Sequence, residues 1–422
     1  MPEIRPFRGV RYGAGYLSAQ VLAPPFDVID EGDRLLLTAQ SPHNIVWLDK
    51  GPEGHDAHWY QQAAAQRNAW LEAGVLQRDA VASFYGYRQS FTVEGKHYTR
   101  TGFFAAVRLA PWGQAIYPHE RTRSGDRADR LNLTRAMDAN MSPVFGMYRD
   151  DTGAIDALLE PPAAPALAHA ELDGCQHTFW AIQDEATVSR LTALLAERDI
   201  VIADGHHRYE TALAYQAERR TQQPDAAPGQ PYDYVMMYLT NVAQPGLVIL
   251  PTHRMVSVDE VDQEGLLHRL ASDFDLYPVW NPDRIGETLR QTAAGTVAIG
   301  MATRDMGTFV LRLRRAALAK STAEPSLAGL DVVVLQERIL EPLLGISRES
   351  LAASAHVTYT IHAREALAAV NEGSAELAFI LNPTSVADVW EVATQGLAMP
   401  QKSTYFYPKL LTGLVINPLD SH

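Results

Sequence analysis

Asp199-Ile200-Val201-Ile202-Ala203-Asp204-Gly205-His206-His207-Arg208-Tyr209-Glu210-Thr211-Ala212 sets a short apolar run directly before a glycine. An amphipathic pattern then continues to about Arg220. The run reads as a buried strand, Ile200–Ala203, and the pattern as a helix starting at His206. Gly205 supplies the backbone freedom for a tight turn and lets a ligand approach the main chain. The first turn of a helix presents unsatisfied N–H groups and the positive end of the helix dipole, a natural seat for an anion. His206, His207 and Arg208 add side-chain donors there, and Arg208 can grip oxyanions through its fork. A structural alternative stands beside this: Asp204 as the N-cap and Arg208 paired with a carboxylate. The histidine pair is a poor metal site, because neighbouring helical residues point about 100° apart.

Working outward, Ala186–Arg198 reads as a helix before this strand, and Tyr234–Asn241 and Gly246–Pro251 as strands after it. Upstream, His58–Glu72 is helical, and Ala82–Tyr87, Val93–Tyr98 and Gly102–Leu109 form an antiparallel meander turning at Glu94-Gly95. Arg135–Asn140 reads as a short helix, Pro143–Tyr148 as a strand, and Glu160–Ala170, rich in proline and alanine, as a linker. Downstream, Val261–Phe274, Pro282–Ala294, Leu330–Leu344, His362–Glu372 and Val386–Gln395 read as helices. Thr296–Met301, Thr308–Leu313 and Glu376–Leu381 read as strands between them. This alternation predicts a mixed α/β (α+β) architecture. With 422 residues the chain exceeds one ordinary core, and the expected division is 1–160, 161–256 and 257–422.

The formal charge of −14 disfavours a nucleic-acid coat, which needs a basic excess. One cysteine, Cys175, forms no intrachain disulfide and fits a reducing compartment. No leader-like segment or membrane-length apolar run is present, so a cytoplasmic location is expected and a membrane role is not. There is no Walker-type loop, GxSxG or HExxH motif.

A second polar constellation is Tyr117-Pro118-His119-Glu120-Arg121-Thr122-Arg123, followed by Asp126, Arg127, Asp129, Arg130 and Arg135. It reads either as a solvated face of ion pairs or as a site where Arg121 and Arg123 reach a phosphorylated ligand and Glu120 acts as base, with Asn140 and Ser142 beneath. Weaker candidates are Asp27 on the stiff Ala23–Val28 loop and His253 with Arg254 at a strand end. Lys402, Ser403, Thr404 and Lys409 could close over a phosphate.

Six ordered motifs then carry a family resemblance: APPFDVI at Ala23–Ile29, PHERT at Pro118–Thr122, SPVFGMYRD at Ser142–Asp150, ADGHHRYETA at Ala203–Ala212, LPTHRMV at Leu250–Val256 and PQKSTYFYPKLLTGLVINPL at Pro400–Leu419. Together they resemble the bacterial and archaeal family known as domain of unknown function 1015, which supplies no activity. The DGHHR box is also similar to the phosphate-binding box of the ParB/sulfiredoxin superfamily, which includes archaeal free serine kinase. That resemblance implies a nucleotide-binding core with additional α/β domains. It places nucleotide phosphates on Gly205, His206, His207 and Arg208. Sulfiredoxin has a reactive cysteine where this chain has His206, so sulfinic-acid repair is not expected. The function implied is a phosphotransferase using ATP or ADP with Mg²⁺ on a small hydroxyl metabolite, serine first. Glu120 is the expected base with His119 behind it, and Asp204 an alternative base or the magnesium ligand. Arg121, Arg123, Lys402, Ser403 and Thr404 are expected on the nucleotide, and Asp27, Asn140, His253 and Arg254 on the substrate. The alternatives are a nucleotide-binding regulatory or partner-binding protein without turnover and a ParB-like nuclease, the latter disfavoured by the charge.

Overall fold

The computed structural model describes residues 1–120, 125–162, 166–258, 261–292, 296–347, 350–351 and 356–420, with only the backbone for 125 and 126. The chain forms two compact units. One takes Met1–Pro118, Thr122–Val248 and Pro408–His422; the other takes His119–Arg121 and Ile249–Tyr407.

The first unit is built on a nine-stranded mixed sheet. In chain order its strands are β1 (Ile4–Arg5), β2 (Phe84–Val93), β3 (Lys96–Arg108), β4 (Ile116–Tyr117), β5 (Val144–Tyr148), β6 (Ala168–Leu172), β7 (Cys175–Ile182), β8 (Ile200–Asp204) and β9 (Tyr234–Asn241). They lie side by side as β4-β8-β5-β9-β3-β2-β7-β6, with β1 pairing β3. Strand β8 runs parallel to β4 and antiparallel to β5, and β9 runs parallel to β5 and antiparallel to β3. Strands from residues 1–160 therefore share one sheet with strands from 161–256, and the expected boundary near residue 160 does not exist. Chain order hides such long-range pairing. The expected linker Glu160–Ala170 runs into β6.

Alternation along the strands separates two apolar layers. Phe84, Phe103, Val144, Trp180, Ile200 and Ile202 join Leu191 and Leu195 of helix Glu185–Ala196 and Tyr209 of helix His206–Gln222 in one core. On neighbouring positions Tyr85, Tyr87, Phe104, Phe145, Phe179 and Tyr238 make an aromatic network through stacked, tilted and edge contacts. The fully buried Arg100 joins them, its guanidinium 4.8 Å from the Phe145 ring centre, and donates to the Pro408 carbonyl at 2.5 Å. This contact lays the C-terminal segment on the sheet.

The second unit holds a six-stranded antiparallel sheet: β10 (His253–Val256), β11 (Phe274–Pro278), β12 (Ala298–Thr303), β13 (Gly307–Leu313), β14 (Val357–Thr360) and β15 (Leu377–Ile380), in the order β11-β13-β12-β15-β10-β14. Helices Ile285–Thr292 and Ala363–Asn371 bury Ile285, Leu289, Ala366, Leu367 and Val370 against Ala298, Val310 and Ile380. Among the described residues no helix is long and apolar enough to cross a membrane.

Gly86 on β2 pairs directly with Trp180 on β7, and a Cβ there would lie 2.0 Å from the indole Cε2. Gly86→Ala is expected to cost about 1–3 kcal/mol by overpacking. Urea unfolding measures this; an unchanged midpoint would mean that the indole is not fixed over the glycine.

Candidate functional site

Strand β8 is buried from Ile200 to Ala203 and ends at Asp204. Gly205 follows at φ 87°, ψ 31°, left-handed geometry that side chains resist, and helix His206–Gln222 begins at once. The N-cap position is Gly205, which has no side chain to cap the helix. Tyr209 fixes its first turn: the phenol donates to the Ala110 carbonyl at 2.6 Å and accepts from the Ala110 N–H at 3.0 Å. The expected strand–glycine–helix junction is thus present.

Asp204 is not the N-cap; it remains in the strand and faces cations. Its Oδ2 lies 3.2 Å from Lys409 Nζ and 3.4 Å from Arg208 Nη2. Burial alone would push this carboxyl up, but the charges of Lys409, Arg208 and His206 and the Lys409 hydrogen bond hold it far below the usual carboxylate range. Lys409 is delivered by the C-terminal segment, whose carbonyl at 409 accepts from Gln89 Nε2 at 3.0 Å.

Arg208 follows the alternative reading, a pair with a carboxylate. It is buried, donates to the Pro143 carbonyl and pairs with Asp204. The reason is helical spacing: residues 204 and 208 stand four apart across the helix start, as neighbours. Asp204 as a magnesium ligand does not fit, since its carboxylate is already engaged by two protein cations. The described residues also hold no group of three His, Cys, Asp or Glu side chains suited to a metal. Asn140 belongs to the same unit; its Oδ1 accepts from the Met236 N–H at 3.0 Å and the Asn417 amide at 2.9 Å. Asp27 lies exposed on the turn Phe26–Val28.

The second unit gathers the other candidates around residues 399–404. Glu120 Oε1 accepts from the Lys402 N–H at 2.9 Å, and the Met399 N–H donates to the His119 carbonyl at 2.8 Å. His119 is buried, with Nε2 2.9 Å from Thr404 Oγ1. Ser403 Oγ donates to the Pro400 carbonyl at 2.5 Å. Lys402 sits at φ 57°, unusual for a residue with a side chain, and its carbonyl accepts from Arg254 Nη2 at 3.0 Å. Burial lowers Arg254 to about 10. His253 accepts the Leu381 N–H on Nδ1 at 3.2 Å, and burial, then the Arg254 and His362 charges, lower it to about 4. Sequence reasoning missed Asp331, which burial raises to about 6 although Asn382 donates to it twice at 3.0 Å. Its only sequence signal is its place just before an apolar helical run. Arg121 and Arg123 lie outside the described residues.

The pattern of the protein family of unknown function DUF1015 matches residues 4–333. The chain belongs to that family. The match contains the Asp204–Arg208 box, Glu120 and Arg254, and ends before the 399–409 segment. No curated protein matches. Among solved structures, free serine kinase in complex with AMP superposes with a TM-score of 0.37 at 12% identity, covering 74% of this chain and 92% of that one. A conserved hypothetical protein from Pyrococcus furiosus gives 0.35 and 12%, covering 74% and 95%. C-terminally truncated SbnI from Staphylococcus aureus gives 0.37 and 12%, covering 75% and 87%.

The two perturbed carboxyls predict opposite pH behaviour. A carboxyl held low stabilises the fold above the ordinary carboxyl pKa and loses that stabilisation as pH falls through its folded value. A carboxyl held high at about 6 costs stability as pH rises from the ordinary carboxyl range through that value. Asp204→Asn should therefore lower the urea midpoint at neutral pH, with the gap closing below about pH 4. Asp331→Asn should raise the midpoint above about pH 6, with no gain below about pH 4. The same sign for both variants would contradict the assignment.

Proposed function

We propose that this family member is a nucleotide-dependent phosphotransferase acting on a small hydroxyl metabolite, with serine the first candidate. The observation that carries the reading is the helix start at Gly205: a buried strand, a left-handed glycine at the N-cap and two histidines opening the helix. Phosphate oxygens would take the amides of Gly205, His206 and His207. Lys409, anchored on Asp204, would supply positive charge from the adjacent segment. Arg208 would act by holding Asp204 and the loop.

Phosphoryl transfer asks the protein chiefly to position phosphates and to orient the attacking hydroxyl. We assign the second task to Glu120, whose Oε1 is oriented by one backbone N–H. His119 and Thr404 would brace that segment. Arg121 and Arg123 are proposed for charge neutralisation, Lys402, Ser403 and Thr404 for further nucleotide contacts, and Asp27, Asn140, His253 and Arg254 for the substrate. Magnesium at Asp204 does not fit, and no step of this reading runs through it.

Calorimetric titration with ATP and ADP, followed by phosphate-transfer assays on a panel of hydroxy amino acids, tests the proposal. Glu120→Gln is expected to lower the rate roughly 10²–10⁴-fold with nucleotide affinity little changed. Gly205→Ala should weaken nucleotide binding, since a Cβ there meets Arg208 Nε at 2.8 Å in a strained backbone. Nucleotide binding without transfer to any acceptor would favour a regulatory protein. No nucleotide binding would end the reading.

A further inference from the structure

Behind the box, wholly within the first unit, lies a cavity of about 40 Å³. Its polar lining comes from Asp49, Arg130, Thr134, Asn140, Ser142, Arg208 and Thr211. Space of this size holds roughly three waters, or a polar group of about three heavy atoms. Seven polar side chains around so small a volume are more than a dry packing defect needs.

The hydrogen-bonding groups around the cavity set the chemistry of what it can hold. Arg208 has five N–H donors, and among the described residues two of its nitrogens are engaged, by Pro143 and Asp204. The carbonyl of Asn140 is committed to Met236 and Asn417, which leaves its NH₂ as donor. Thr211 is 3% exposed, and its hydroxyl finds no partner among the described residues. Arg130, stacked 4.0 Å from the Phe26 ring centre, is held by Asp129 and by the carbonyl and carboxylate of Asp49. Arg208, Asn140 and Thr211 thus bring open donors to one side of the cavity, and Asp49 and the hydroxyl oxygens of Thr134, Ser142 and Thr211 are the acceptors around it. A carboxylate has three heavy atoms, accepts up to about four hydrogen bonds and matches the guanidinium fork.

We infer that this cavity is a binding site for the carboxylate of a small organic acid, seated against Arg208, Asn140 and Thr211 beside Asp49. The site does not depend on the phosphotransferase reading. It carries a consequence for protons. Asp49 is buried beside the cavity and faces Arg130 and Asp129 from helix Gly125–Met137, Arg208 from helix His206–Gln222 and Asp27 from the turn Phe26–Val28. Burial pushes its carboxyl up despite both arginines. A second carboxylate arriving next to it favours the protonated form further, so binding takes up a proton at Asp49 and weakens as pH rises.

Calorimetry of the full chain with acetate and glycolate, and with acetamide as the neutral isostere, tests this. The acids are expected to bind and acetamide not, with affinity falling as pH rises above the ordinary carboxyl range. Proton uptake should appear as a heat that depends on the buffer. Thr211→Val keeps the shape and deletes an unpartnered hydroxyl, so the fold should hold while acetate affinity drops roughly three- to tenfold. Asp49→Asn should keep binding and abolish its pH dependence. Acetamide binding as well as acetate, or a Thr211→Val chain with unchanged acetate affinity, would overturn the site, as would no acid binding at all. Unchanged pH dependence in Asp49→Asn would overturn the proton coupling.

Discussion

The Asp204 carboxylate, held between Lys409 and Arg208, ties together three parts of the first unit that are remote in sequence. Lys409 belongs to the C-terminal segment, Asp204 ends a central strand, and Arg208 begins the helix that follows. Because Asp204 is drawn toward these cations it does not turn back to cap the helix. Gly205 takes the N-cap position instead and offers the helix start no side-chain acceptor of its own. Removing either cation would leave a partly buried carboxylate undercompensated, which costs far more than an exposed pair is worth.

The sheet explains why that arrangement holds its shape. One face packs against helices, while the other carries an aromatic layer covered through Arg100 and Pro408. Lys409 is the next residue after Pro408, so the contact that docks the C-terminal segment also sets the position of the Asp204 partner. Gln89 fixes the following carbonyl. Two backbone carbonyls, each gripped by a buried side chain, leave the lysine little freedom to wander.

Much of this was legible in the sequence, and the failures are instructive. The strand–glycine–helix junction, the hairpin at Glu94-Gly95 and helix Ala57–Glu72 follow from periodicity and turn chemistry acting over a few residues. Helix Gly125–Met137 was obscured because its charged residues mimic a solvated loop; only Arg135–Asn140 read as helix, and its last residues are strand instead. Strands β6 and β7 were hidden by a neighbouring proline-rich stretch. Of the site, the Gly205 turn was visible locally, whereas the Lys409 pairing and the Asp49–Arg130 contact join residues 205 and 81 positions apart. No spacing rule reaches that far.

Arginine serves this chain both at its surface and inside it. Of the arginine cluster, Arg127 and Arg135 are exposed and pair with Glu210 and Glu218, the solvated face that was the alternative, while Arg130 turns inward and, with Arg100, Arg208 and Arg254 from elsewhere in the chain, is buried. Three of them lie against rings, Arg100 on Phe145, Arg130 on Phe26 and Arg254 on Tyr359. Each of the four donates to at least one backbone carbonyl. A planar, weakly hydrated guanidinium tolerates such surroundings because its faces stack while its edge donates. Lysine has neither the plane nor five donors in one fork, so it cannot replace these residues without leaving carbonyls unmet. Their edges anchor loops at residues 143, 402 and 408. The same chemistry that makes these arginines internal braces also brings two of them, Arg130 and Arg208, into the lining of the inferred carboxylate site.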